Sequence, residues 1–334
     1  MNNMIEVKDL VKDYGKEVRA VDHISFEVEE GEIFGFLGPN GAGKSTTISM
    51  ITTLSTPTSG TILLGGIDVV KYPTRVRKLI GLVPQALTAD DELSGRENMQ
   101  LQADLYGVPR SVSKERIAEL LEVVNLEEAA DRRVDTYSGG MRKRLELAEG
   151  LIHRPKILFL DEPTLGLDVQ TRETIWEYIR NMKEENNMTV FLTTHYLEEA
   201  DSLCDRIAII DEGRIMVSGS PDELKASLGG DVVSIGINDD IDHSSKIGSF
   251  AHVSNVTREG CNYKVITSDG ERTMSDILTA SVDNGWRIDS VSMHVPSMNQ
   301  VFLEYTGKSM RDKDNGSMKR EIRAAALHNR RRAK

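Results

Sequence analysis

Gly38-Pro39-Asn40-Gly41-Ala42-Gly43-Lys44-Ser45 is the stretch whose reading decides the fold. It fits G-x-x-x-x-G-K-[ST], and it lies directly after the apolar run Ile33 to Leu37 and before the helical stretch Thr46 to Thr53, the context that gives the pattern its meaning. Glycines let consecutive backbone N–H groups wrap a phosphate, and the N-terminus of the following helix adds its dipole. Lys44 then brings a point charge to the β and γ phosphates, and Ser45 a hydroxyl to Mg²⁺. The sharper rival is a dinucleotide-binding turn, which needs an acidic residue about 20 positions on to hold a ribose. That region reads Leu54-Ser55-Thr56-Pro57-Thr58-Ser59-Gly60-Thr61, and the Lys-Ser pair would have no task.

Working outward, Ile157-Leu158-Phe159-Leu160-Asp161-Glu162 puts two acids at the end of a buried strand, where open α/β sheets bind their ligands. Charge at such a place is costly unless something positive is near, and a Mg²⁺-nucleotide meets that need. Asp161 would hold the metal through water, and Glu162 would polarise the attacking water. Taken alone, the pair could be an acidic surface turn; beside the phosphate loop that reading loses its force.

From Ile5 to about Leu224 short apolar runs alternate with helical periodicity, the pattern of an α/β domain with a largely parallel sheet. A helical insert is expected at about 86–150, with Ile117, Leu120, Leu121 and Val124 on one face of a helix from Ser113 to Val124. Beyond it a second, small α+β domain spans 225–307. Its strands VVSIGI, HVSNVT, NYKVIT and WRIDSVSMHV, with the helix SDILTASVDNG and a weak one at Asp242 to Ser249, approximate β-α-β-β-α-β, a ferredoxin-like order, before a last helix at Met298 to Tyr305.

The net charge of −12 is uneven. Residues 308–334 hold ten Lys/Arg against three Asp/Glu, which leaves −19 on the rest. An acidic body argues against a broad nucleic-acid footprint, and the basic, polar tail reads as a disordered extension, solvated or touching anionic lipid. Cys204 and Cys261 match no metal or redox spacing, which suggests packing residues in a reducing compartment. The N-terminus lacks the basic-then-apolar pattern of a signal peptide, and no apolar run exceeds about four residues where a membrane span needs about 20. Membrane work would therefore require a partner chain.

With both nucleotide motifs placed, the sequence resembles the ABC transporter ATPases over about residues 4 to 224, a P-loop NTPase fold with a helical subdomain. The resemblance implies that ATP and Mg²⁺ are bound by Gly38, Pro39, Asn40, Gly41, Ala42, Gly43, Lys44, Ser45 and Thr46, and hydrolysed. Four further matches follow in order. Tyr14 sits where the family stacks an aromatic on adenine, although a lone tyrosine is usually an ordinary surface residue. Gln85 corresponds to the glutamine that reaches the metal and the attacking water and borders the membrane partner. Tyr137-Ser138-Gly139-Gly140-Met141 is similar to the signature LSGGQ, whose serine and bare N–H groups complete the nucleotide pocket of a second copy. Asp168 matches the loop that meets the other subunit, and His195 the histidine that contacts the γ-phosphate. Tyr137 and Met141 depart from the signature, so phosphate binding is expected to persist while contacts to the partner nucleotide weaken.

The run from Pro296 to Lys308, and Asp90-Asp91-Glu92-Leu93-Ser94-Gly95-Arg96-Glu97-Asn98, are similar to the daunorubicin/doxorubicin-resistance type of drug-exporter ATPases. The partners this implies are a second copy of the chain and separate transmembrane permease subunits, which would hold the protein peripherally at the cytoplasmic face of the membrane; no nucleic acid is expected. Two alternatives stay open: an ABC importer ATPase, and a non-transport ABC ATPase acting on ribosomes or nucleic acid. A single compact cassette stands against the second.

Overall fold

The computed structural model describes residues 3–15, 18–238 and 241–307, without the side chains of residues 185 and 186. The basic tail expected at 308–334 lies outside the described residues. The described chain divides into two units, one ending at Ser218 and one formed by Gly219–Gly307. The boundary expected at 224 falls inside the helix Pro221–Ala226, which groups with the second unit. That helix has its own start signal, Pro221 at its first position and a capping box in which Ser220 and Glu223 satisfy each other's backbone N–H groups.

In the first unit a six-stranded sheet runs in the order Arg214–Gly219, Arg206–Asp211, Ile33–Leu37, Thr189–Thr194, Ile157–Asp161, Ile80–Val83. Ile33–Leu37 pairs in parallel with both neighbours, and every one of its residues is buried, as expected of a parallel strand covered on both faces. Phe34, Phe36, Phe159 and Phe191 interlock there with Phe26, ring centroids lying 5.5 to 6.0 Å apart. The sequence reading of a largely parallel sheet omitted a second, antiparallel sheet in the order Val18–Glu29, Asn3–Tyr14, Ser59–Leu64, Ile67–Asp68. Its residues Ile5, Val7, Leu10, Ile24 and Ile62 enter the same core.

The helices Gly95–Leu105, Arg110–Val123 and Gly139–Leu151 form a subdomain with a separate core that includes Met99, Ile117, Leu121, Leu145 and Ala148. The middle helix opens at Arg110, three residues before the expected Ser113, because Pro109 supplies a fixed φ at the helix entrance. Of its expected apolar face Ile117, Leu121 and Val124 are buried, while Leu120 is only partly covered.

The second unit is a four-stranded antiparallel sheet in the order Val253–Glu259, Asn262–Thr267, Asp231–Ile237, Ile288–His294. The helices Ser244–Ile247 and Gly270–Asn284 complete the β-α-β-β-α-β order. Val233, Ile235, Tyr263, Val265 and Ile277 form its core. The last helix, Met298–Thr306, buries Met298, Val301 and Phe302 and stops at Gly307 in the left-handed region, φ 61°. Tyr305 stays at its edge, its hydroxyl 3.3 Å from Ser227 Oγ. Cys204 is buried as a packing residue, but Cys261 is exposed, because it sits in the turn after Gly260 between two strands.

Candidate active site

The loop after Ile33–Leu37 is shaped by its glycines. Gly43 precedes the helix Lys44–Ile51 with φ 110°, a conformation open to glycine, and a Cβ there would lie 2.5 Å from the carbonyl oxygen of Ala20. The loop closes on itself as Ala42 N–H donates to Pro39 O at 3.1 Å. Lys44 is buried, and its Nζ donates to Gly38 O at 2.7 Å and Pro39 O at 3.2 Å, so its charge is fixed inside the loop. Burial lowers its pKa, an effect the charges of Glu162 and Asp161 oppose. Asn40 and Ser45 are exposed, and Thr46 is half-buried at the helix start.

Two strands away in the sheet, Ile157–Asp161 delivers the acidic pair. Asp161 Oδ1 accepts from Thr193 Oγ1 at 2.6 Å, across the parallel pairing of Asp161 with Thr193. Glu162 leaves the strand in the left-handed region, φ 50°, its N–H donating to Thr193 O at 3.0 Å. That turn aims its carboxylate at the next strand tip. Oε2 accepts from Gln85 Nε2 at 3.1 Å and lies 3.3 Å from His195 Nδ1. Burial would raise the Glu162 pKa, but the hydrogen bond and charge of His195, with Lys44 behind them, outweigh it and hold the carboxyl below its ordinary value. Gln85 and His195, widely separated in sequence, thus converge on one ionised carboxylate.

Thr193 escaped the sequence reading. It buttresses both acids at once, and its only sequence signal is a hydroxyl one residue before the end of the strand Thr189–Thr194, a place that many strands fill with threonine for its propensity alone.

Among the described residues no group of three or more His, Cys, Asp or Glu could cage a metal. The donors present are the Ser45 hydroxyl and the Asp161 carboxylate beside Lys44. That set fits Mg²⁺, which takes one or two protein oxygens and fills its shell from phosphate and water.

Ser138 and its glycines gather elsewhere in the unit. Ser138 caps the helix Gly139–Leu151, its Oγ accepting from Met141 N–H at 3.2 Å. Asp168 caps the helix Val169–Asn186, its carboxylate accepting from Thr171 N–H at 3.0 Å and Thr171 Oγ1 at 2.7 Å. These hydrogen bonds hold the Asp168 pKa down. Thr171 joins the two caps, for a Cβ on Gly140 would lie 2.7 Å from its Cγ2. Ser138, Gly140, Gln170 and Thr171 line one shallow cleft. Tyr137 is a packing residue of the helical core, its hydroxyl donating to Ala129 O at 2.7 Å, and Met141 packs partly against the same core. Tyr14 is half-exposed at the end of its strand, with Lys12 Nζ 5.1 Å from its ring centroid. The candidate residues therefore form one tight cluster, Lys44, Gln85, Asp161, Glu162 and His195, and a second group, Ser138 to Gly140 with Asp168.

Residues 21–165 match the ABC transporter family model, and residues 219–306 match the C-terminal domain of the DrrA1-3-like ATP-binding proteins. The linearmycin resistance ATP-binding protein LnrL of Bacillus subtilis is 38% identical over 92% of this chain and 100% of its own length. The doxorubicin resistance ATP-binding protein DrrA of Mycobacterium tuberculosis is 39% identical over 90% and 93%, and the Nod factor export ATP-binding protein I of Burkholderia orbicola 37% identical over 92% and 98%. Among solved structures, a dimeric ATP-binding cassette in a post-hydrolysis state bound to ADP and Pi aligns with a TM-score of 0.60 and 29% identity, covering 65% of this chain and 98% of that one.

Proposed function

Because the chain belongs to the ATP-binding proteins of ABC transporters and is an ATPase of the export type, we propose that two copies close around two Mg-ATP molecules to drive a separate membrane permease. Each nucleotide lies between Gly38 to Thr46 of one copy and Ser138 to Gly140 of the other, with Tyr14 against the adenine and Asp168 at the seam. The cargo is a drug or another hydrophobic or amphipathic compound, a reading supported by relatives named for resistance to linearmycin and doxorubicin and by the matching C-terminal domain. Among the described residues no helix is long and apolar enough to cross a membrane.

The observation that carries the catalytic assignment is the single carboxylate of Glu162 met by Gln85 and His195. With Oε2 engaged, Oε1 orients the attacking water and takes its proton as the oxygen–phosphorus bond forms and the bond from the γ-phosphorus to the bridging oxygen breaks, releasing ADP. Lys44 neutralises the β and γ phosphates, and His195 reaches the γ-phosphate. Ser45, Asp161 and Gln85 would hold Mg²⁺, which would supply further charge neutralisation at the phosphate oxygens. Loss of the γ-phosphate contacts loosens the two copies, and the segment around Gln85 passes that motion to the permease.

Glu162→Gln tests the assignment. It preserves ATP binding, lowers turnover by about 10²-fold or more, and accumulates an ATP-bound dimer on size exclusion; ordinary turnover in this variant would sink it.

A further inference from the structure

The helix that Ser138 opens carries a buried ion pair with no part in the nucleotide chemistry described above. Lys143 and Glu146 are both buried, their side chains 3.1 Å apart. Each also reaches off the helix to the segment that contains Gln85. Lys143 Nζ donates to Pro84 O at 2.7 Å. Glu146 Oε1 accepts from the backbone N–H of Thr88, and from Thr88 Oγ1 at 3.3 Å. The two anchor points are thus the residue before Gln85 and the residue three after it. Gln85 stands in a short bight strapped at both ends to one charge pair.

Burial makes this arrangement consequential. A charged pair withdrawn from water keeps its attraction only while geometry and hydrogen bonds are satisfied, so it fixes positions more sharply than an apolar contact of the same size. Apolar packing alone would allow the 84–88 segment to slide along the helix; a lysine bonded to one specified carbonyl and a carboxylate bonded to one specified N–H do not.

We propose that Lys143 and Glu146 are positioning residues that hold Gln85 in register with the helix opened by Ser138 to Gly140, so that the glutamine of one site moves with the signature serine the same chain offers to the other. The inference rests on the role given to Gln85 above. A displacement of Ser138 by the partner's nucleotide is carried through the helix to Lys143 and Glu146, and from there to Pro84 and Thr88. The Gln85–Glu162 hydrogen bond then tightens or loosens accordingly.

The test uses the full-length chain and replaces the pair by apolar residues of similar bulk, Lys143→Met with Glu146→Leu, which removes the straps without leaving a lone buried charge. ATP affinity is expected to stay within about 2-fold, because Lys44 and its loop are untouched, while kcat falls about 10-fold or more. Backbone amide exchange at Thr88 is expected to speed up while that of Thr47, in the phosphate helix, is unchanged. Lys143→Arg, which keeps the charge, retains most of the turnover. In combination with Gln85→Ala, the apolar pair adds little further loss of kcat, since both act through one side chain. Additive losses, or unchanged exchange at Thr88, overturn the positioning role alone. Full turnover in Gln85→Ala by itself overturns the reading of Gln85 and this inference with it. Should the apolar pair fail to fold, Lys143→Met with Glu146→Gln, which cuts the strap to Pro84 without leaving a lone buried charge, carries the same cycle against Gln85→Ala.

Discussion

His195 Nδ1 lies 3.3 Å from Oε2 of Glu162, the same oxygen that accepts Gln85 Nε2 at 3.1 Å. The histidine and the glutamine therefore share one acceptor on the Glu162 carboxylate, and removal of either is felt by the other. His195 also holds Glu162 ionised against its burial. In His195→Ala only Lys44 still opposes the burial cost, so the Glu162 pKa rises. The acid limb of the kcat/KM profile should move to higher pH, on top of a fall in kcat of roughly 10²-fold. An acid limb that stays in place, measured in parent and variant across the same pH range, would separate His195 from Glu162.

Lys44 is bonded to two carbonyls of its own loop, so its removal strips both a charge from the phosphates and two bonds from the cradle. Lys44→Ala should weaken ATP binding by roughly 30-fold or more, equivalent to at least about 2 kcal/mol for charge-assisted bonds. Titration with a fluorescent ATP analogue measures this, and unchanged affinity would argue against the phosphate-loop reading.

Gly140→Ala probes the second group of residues. The new Cβ meets Thr171, and Thr171 holds Asp168, so the change displaces both caps together. Nucleotide affinity of the dilute single chain should be kept, while kcat and ATP-dependent dimerisation fall. Equal loss of single-chain affinity would show that Ser138 to Gly140 serve the nucleotide of their own chain.

Glu149 gives a prediction about stability. Its Oε1 has no hydrogen-bond partner among the described residues, and burial, with Glu146 as a negative neighbour, pushes its pKa up to about 8. The folded chain thus keeps a proton that the unfolded chain releases in the ordinary carboxylate range. That stabilisation is full below about pH 4.5 and is lost as the pH climbs to about 8, at a limiting slope of roughly 1.4 kcal/mol per pH unit. Glu149→Gln should flatten this decline; urea unfolding at pH 6 and pH 8.5 measures it, and an equal decline in parent and variant would show that Glu149 does not titrate there.

Much of the candidate site was legible in the sequence because its key residues are contiguous. Gly38 to Ser45 follows its strand directly and carries its glycines and helix start, and Ile157 to Glu162 carries its own strand; Ser138 and Asp168 were reached through the family's motifs, and the structure shows both as helix caps. The roles of Thr193, Lys143 and Glu146 were not legible. Each depends on a partner 32, 59 and 58 residues away, respectively, and nothing local distinguishes them from an ordinary strand threonine or a solvated helix charge pair. The antiparallel sheet was missed for a related reason, since alternation along Asn3–Tyr14 and Val18–Glu29 gives strands without stating which sheet they join.

The sequence by itself determined the chemistry: a phosphate-wrapping loop, a lysine, two acids at a strand tip, and the order of motifs that places the chain among the ABC ATPases. Local backbone requirements fix such features, since left-handed glycines, helix caps and buried strand ends leave little freedom in residue type. Tertiary structure decided the assembly. Parallel pairing sets Asp161 beside Thr193, the left-handed turn at Glu162 carries its carboxylate to Gln85 and His195, and Thr171 brings the caps of Ser138 to Gly140 and Asp168 together. The physical reason is that an interaction between distant residues depends on the sheet order and packing of the whole unit, which no short window of sequence contains.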